Sequence, residues 1–91
     1  MDVVQENLRQ MCLWEYLNPL NAHRMWWIYV NKWNEYCVHN KTTFTSVCHQ
    51  QQLAAAEQEM LTAHGWVPPG GVARVQAFVD VCRNNHEHEP R

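Results

Sequence analysis

The sequence contains no long hydrophobic run. The longest, from Met25 to Val30, falls far short of the roughly 20 apolar residues that a membrane-spanning helix needs. We therefore expect no transmembrane segment. The N-terminus is acidic, and no apolar signal-peptide core follows it,. On this basis we expect an intracellular protein that is either soluble or associated with a complex.

Basic residues, serine and glycine are also scarce. Seven Lys and Arg stand against nine Asp and Glu, and the basic residues are scattered along the chain. Nucleic-acid binding needs a positive patch, so we expect no nucleic-acid partner. Ser46 is the only serine, and Gly70-Gly71 lacks the Lys-Ser/Thr that follows the glycines of a phosphate-binding loop,. We therefore expect no enzyme, with neither catalytic residues nor a cofactor.

The composition nevertheless predicts a folded chain. Charged residues make up 18% of the 91 residues, below the roughly 25% typical of soluble domains. Five tryptophans are a heavy aromatic load for this length, whereas disordered chains are poor in aromatic residues and rich in charge. The length allows one domain, residues 1–91, with a small core.

Hydrophobic periodicity predicts four helices, at about residues 2–17, 21–38, 45–64 and 72–85, and a polar tail over residues 86–91,. Asn21 is the expected N-cap of the second helix, and Thr45 or Ser46 that of the third. We expect Gly65 to end the third helix in a Schellman motif. The predicted fold class is all-α, with four short helices in a compact bundle or an orthogonal helical domain.

The aromatic residues indicate a protein–protein interface. The second helix has a clear apolar stripe, and Trp27 and Ile28 lie outside it,. The number of large aromatic side chains exceeds what a four-helix core of this length readily buries. We expect a protein partner within a larger complex, with self-association as a further option. The candidate interface residues are Trp14, Trp26, Trp27, Ile28 and Trp66.

The cysteines at positions 12, 37, 48 and 82 leave several options open. Without a secretory signal we expect reduced thiols. A disulfide between Cys37 and Cys48 is geometrically conceivable across the break between the second and third helices.

A zinc site is a weaker hypothesis. Cys82 and His86 share a helix face at i, i+4, and His88 follows, so these three could supply zinc ligands, with Cys12 as a fourth. The favoured interpretation is that no metal is bound, because Cys82 belongs to the core and the histidines belong to a solvated tail.

The spacing of Cys37 and Cys48 resembles one half of the coiled-coil–helix–coiled-coil–helix proteins of the mitochondrial intermembrane space. The similarity covers residues 37–48. That family places two cysteines on each of two helices, whereas Cys12 and Cys82 here belong to the outer helices.

The preferred hypothesis for function is a non-enzymatic helical interaction module, a small structural or accessory subunit of a larger multi-protein assembly. One alternative is a small helical domain stabilised by disulfides or zinc, with the mitochondrial intermembrane space as its compartment. Another is a small viral or phage inhibitor that acts by binding a host protein.

Overall fold

The structure, a computed structural model, describes residues 2–38 and 46–87. Helix α1 spans Asp2–Leu17, and a 3-10 turn, Asn18–Leu20, follows it. Helix α2 spans His23–Lys32 and continues into a π-helical turn, Trp33–Val38. Helices α3 and α4 span Ser46–His64 and Gly71–Glu87. The described residues form no strand, and the predicted all-α fold is confirmed.

The junction between α1 and α2 differs from the prediction. Asn21 is in the left-handed conformation, with φ 56°, and its N–H donates to the carbonyl of Asn18 at 3.0 Å. Asn21 therefore closes the 3-10 turn and does not cap α2, which begins two residues later, after Ala22. Asparagine tolerates this conformation better than most residues, and Pro19 supplies the fixed φ that suits a tight turn.

The junction between α3 and α4 is built from glycine and proline, as predicted. Gly65 has a positive φ of 64°, and its N–H donates to the carbonyl of Leu61 at 3.0 Å. A bond of this kind defines the αL motif, whereas the expected Schellman motif has a different pair of bonds at the helix end. A turn follows, in which the N–H of Gly71 donates to the carbonyl of Pro68 at 2.9 Å.

The last helix is longer than predicted. It continues to Glu87, so His86 lies in its final turn and not in a polar tail. The predicted cap Thr45 and the rest of the tail, residues 88–91, lie outside the described residues.

The core draws on all four helices. Helix α1 packs mainly against α4, and α2 packs against α3 and α1. The radius of gyration is 12.8 Å, close to the roughly 12 Å of a compact domain of this length. The fully buried side chains include Leu13, Leu17, Met25, Tyr29, Leu53, Val75 and Val79.

Two polar side chains on α1 are buried. Glu6 is 3% exposed and Arg9 is 7% exposed, whereas Met11 lies at the surface. On α3, His49, Leu53, Ala56 and Met60 are buried, whereas His64 at the end of the helix is exposed. The buried face of α1 is therefore partly polar, and its charges need partners inside the protein.

All four cysteines are paired, which corrects the expectation of reduced thiols. Cys12 on α1 is bonded to Cys82 on α4, with their Cα atoms 5.9 Å apart. Cys37 in the π-helical turn is bonded to Cys48 on α3, at 6.0 Å. The earlier expectation rested on compartment alone, whereas the helix packing brings each pair within disulfide reach.

The two disulfides should differ in their effect on stability, because they close chain segments of 70 and 11 residues. In the chain-entropy description, closing the longer segment stabilises the fold by about 4 kcal/mol and the shorter by about 3 kcal/mol. We expect the double variant Cys12→Ser/Cys82→Ser to lose more unfolding free energy than Cys37→Ser/Cys48→Ser. Urea unfolding without reductant measures both, and the opposite order would contradict this account.

Candidate functional site

Four aromatic rings form a continuous row across α1 and α2, which we call the aromatic row: His23, Trp14, Trp26 and Trp27. The imidazole of His23 stacks on Trp14, with ring centroids 4.6 Å apart and planes 22° apart. Trp26 meets Trp14 edge to face at 5.2 Å, and Trp27 meets Trp26 in the same manner at 4.9 Å. Each contact has a geometry that aromatic pairs favour.

Hydrogen bonds to the backbone and to the interhelical turn hold the row in place. The indole N–H of Trp26 donates to the carbonyl of Gln10 on α1 at 2.8 Å. The ring nitrogen Nε2 of His23 lies 2.6 Å from Oδ1 of Asn18 in the 3-10 turn. Both ends of the stacked segment are therefore fixed to parts of the fold outside α2.

The row is accessible at the surface. Trp27 is 56% exposed and Trp14 is 36% exposed, while Trp26 between them is half-buried against the core. Leaving so large an apolar ring as Trp27 in water is unfavourable. Rigid aromatic groups of this kind supply much of the binding energy at protein interfaces.

The structure brings Trp14, Trp26 and Trp27 together but separates the other two candidate interface residues from them. Ile28 is half-buried against the core and not outside it. Trp66 also packs against the core, and it lines a separate groove together with Leu20 and Met60. His23 was not among the candidates, although its position three residues before Trp26 places it on the same side of α2.

Ile28 is less exposed than expected because it borders the buried stripe of α2. The residues buried on α2 are Met25 and Tyr29, and the stripe continues to Trp33. Ile28 follows Met25 by three positions and so lies at the edge of this stripe. Trp26 lies at its other edge, and Trp27 is left facing solvent.

A buried polar network lies beneath the helix that carries the row. The hydroxyl of Tyr29 on α2 donates to Oε2 of Glu6 on α1 at 2.7 Å, and it lies 2.6 Å from Nδ1 of His49 on α3. Gln10 and Arg9 also donate to the Glu6 carboxylate, at 2.9 and 3.4 Å. Side chains of α1 and α3 thus meet at the hydroxyl group of Tyr29 on α2.

Burial controls the ionisation of this network. Burial raises the pKa of Glu6, although the hydrogen bonds that Glu6 accepts from Tyr29, Gln10 and Arg9 act to lower it. Burial, with help from the Glu6 charge, also raises the pKa of Tyr29, which therefore stays protonated. Burial and the charge of Arg9 lower the pKa of His49 to about 4. A neutral imidazole can donate its Nδ1–H to the Tyr29 oxygen, which leaves the Tyr29 proton for Glu6.

We expect His49 to make folding sensitive to acid. Its pKa is near 6.5 in the unfolded chain and about 4 in the folded protein. The unfolded state therefore gains a proton first as the pH falls. The resulting loss of stability begins near pH 6.5 and amounts to about 2 kcal/mol by pH 4.5.

The substitution His49→Gln should remove most of this contribution, so the variant should lose less stability than the parent between pH 7 and pH 4.5. His64→Gln, at an exposed position on the same helix, is the matched control and should behave like the parent. Urea unfolding at the two pH values measures the difference. If both variants follow the parent, His49 is not the titrating group.

A second chemical cluster lies where α1 meets α4. Beside the Cys12–Cys82 disulfide, Oε2 of Glu15 lies 3.2 Å from the sulfur of Cys82 and 3.7 Å from Nε2 of His86. The potential ligand atoms of Cys12, Glu15, Cys82 and His86 all lie within 4.8 Å of one another. Among residues 2–38 and 46–87, no other group of three or more His, Cys, Asp or Glu has this arrangement.

This cluster contains two of the three candidate zinc ligands, Cys82 and His86, and also the suggested fourth, Cys12. His88 lies outside the described residues. Sequence reasoning missed Glu15, although its position three residues after Cys12 places both on one side of α1. The pairing of α1 with α4, which brings these residues to Cys82 and His86, has no signature in the sequence.

A family profile described as the vacuolar sorting receptor thioredoxin-like domain matches residues 1–70. The chain belongs to this family. No curated protein and no solved structure matches the chain significantly.

The family match covers α1, α2 and α3 and ends before α4 begins. The Cys37–Cys48 disulfide and the aromatic row therefore lie within the matched part, whereas Cys82 and His86 lie beyond it. The sequence has no C-x-x-C pair, the redox motif that accompanies a βαβ pattern in thioredoxin-like proteins. No helix in the described part of the chain is long and apolar enough to cross a bilayer.

Proposed function

We propose that this member of the family is a non-enzymatic interaction module that binds a protein partner through the aromatic row, as a subunit or segment of a larger assembly. The observation that carries the proposal is the exposure of Trp27, 56%, at the end of a row of rings that the fold holds in place. Trp14 and His23 extend the same surface toward the interhelical turn.

The row is suited to binding because it is organised before a partner arrives. Ordering a flexible side chain at an interface costs about 0.5–1.5 kcal/mol. Here the bond from Trp26 to the Gln10 carbonyl and the stacking of His23 on Trp14 remove much of that cost in advance. Tryptophan is also enriched among the residues whose truncation weakens protein complexes most.

The family and the disulfides support the same proposal. The family is named for a sorting receptor, and a receptor acts by binding other molecules. Both cystines are of a kind that persists in oxidising compartments and is rare in the cytosol,. We therefore propose that the chain works in an oxidising compartment, where its partner is another protein of that compartment.

We expect Trp27→Ala to weaken binding at least tenfold while leaving the melting temperature nearly unchanged, because the ring is exposed in the free chain. The first measurement is gel filtration of an extract of the source, which should place the chain in an assembly far larger than its own 10.8 kDa. Proteins that elute with it are then titrated against the parent chain and the variant.

Val47→Ala is the matched control, because Val47 is 59% exposed and lies on α3, away from the row. It should bind as the parent does. Two outcomes would overturn the proposal. One is elution of the chain at its own mass, and the other is equal binding by the parent and Trp27→Ala.

A further inference from the structure

In the cluster between α1 and α4, a carboxylate and an imidazole, both groups that can bind a metal ion, lie beside a disulfide. Cys12 is buried, Cys82 and His86 are half-buried, and Glu15 is at the surface. The sulfur of Cys82 carries no proton in the disulfide, so its 3.2 Å contact with the Glu15 carboxylate is not a hydrogen bond. We propose that reduction of the Cys12–Cys82 disulfide creates a zinc site whose ligands are Cys12, Cys82, Glu15 and His86.

Two of the distances between ligand atoms are already close to those of tetrahedral coordination. Zinc binds sulfur at about 2.3 Å and nitrogen or oxygen at about 2.0–2.2 Å, so neighbouring ligand atoms lie about 3.3–3.8 Å apart. Glu15 Oε2 already lies 3.2 Å from the Cys82 sulfur and 3.7 Å from His86 Nε2. On reduction the two sulfurs separate, and the ligand atoms, which all lie within 4.8 Å of one another, reach the zinc spacing by rotation about side-chain bonds.

The helical positions explain why these residues converge. Cys12 and Glu15 are spaced i, i+3 on α1, and Cys82 and His86 are spaced i, i+4 on α4, so each helix presents two ligands on one side. A groove of about 270 Å³ lined by Glu15, Cys82 and His86 opens beside them. An ion can therefore reach the cluster from solvent.

The other disulfide is an internal comparison. Cys37 and Cys48 also join two helical segments, but no third ligand group accompanies them among the described residues. Of the residues that the structure describes, reduction there would bring two thiolates together without a third group at ligand distance. Structural zinc sites almost always have four ligands, and within residues 2–38 and 46–87 the α1–α4 cluster is the one that meets this requirement.

The chemistry balances with a dithiol as the reductant. The dithiol gives two electrons and two protons to the Cys12–Cys82 disulfide and becomes a disulfide itself. Zinc then replaces the two thiol protons, which are released to solvent. The net reaction consumes one protein disulfide, one dithiol and one Zn²⁺, and it yields the zinc dithiolate, one disulfide and two H⁺. In the reverse direction a small-molecule disulfide takes two electrons from the thiolates and two protons from solvent, becomes a dithiol, and the re-formed Cys12–Cys82 disulfide releases the ion.

Both the disulfide and the zinc site join α1 to α4 at the same place. The cluster contains no member of the aromatic row, so this proposal does not rest on the proposed function. The Cys12–Cys82 pair thus alternates between a covalent link and a metal link, and the reduction potential of the thiols in its surroundings decides which one forms.

The test uses the full chain, reduced with a dithiol and freed of reductant by desalting without oxygen, and then titrated with Zn²⁺ or Co²⁺. We expect one ion per reduced chain, absorption typical of tetrahedral cobalt thiolate, and no binding by the oxidised chain. Glu15→Gln and His86→Ala should each weaken zinc binding at least tenfold. His64→Ala and Cys37→Ser/Cys48→Ser should leave it unchanged.

Circular dichroism keeps the test decisive if reduction unfolds the chain, because zinc should then restore the helical signal. Failure to bind zinc in the reduced state, or to recover helix on its addition, would overturn the proposal. So would equal zinc affinity in the parent and His86→Ala, since two cysteines alone would then account for the binding. None of these outcomes affects the test at Trp27.

Discussion

The hydroxyl group of Tyr29 is the point on which the packing depends. It lies between Glu6 of α1 and His49 of α3, so three helices meet at one buried oxygen. A buried polar network stabilises a structure only when its members find their partners. Sliding one helix by a turn would leave a carboxylate or a phenol without a hydrogen bond inside the core, which is costly. The network therefore fixes the helix register.

The surface sites follow from that register. Trp26 lies on the same helix as Tyr29, and its indole reaches the Gln10 carbonyl because Gln10 is one turn beyond Glu6 on α1. The same placement of α1 brings Trp14 against Trp26 and Cys12 against α4. One helix thus contributes to the aromatic row and to a disulfide, which explains why it carries large side chains around much of its circumference.

The family match separates the two disulfides. The family match contains the Cys37–Cys48 disulfide but ends before α4. The two disulfides therefore differ in setting as well as in chain separation. The Cys37–Cys48 pair links neighbouring segments within the matched part. The Cys12–Cys82 pair ties the last helix back to the first, and a carboxylate and an imidazole lie beside it.

The sequence by itself determined the local features of this protein: the four helices, the left-handed Gly65 at the end of α3 and the exposure of Trp27. These follow from periodicity and from conformational preferences that act within a few residues. The tertiary structure decided the rest. Burial of Glu6 and convergence of Cys12 with Cys82 depend on which helices pack together. Periodicity shows that a helix has an apolar face but does not specify the helix that covers it.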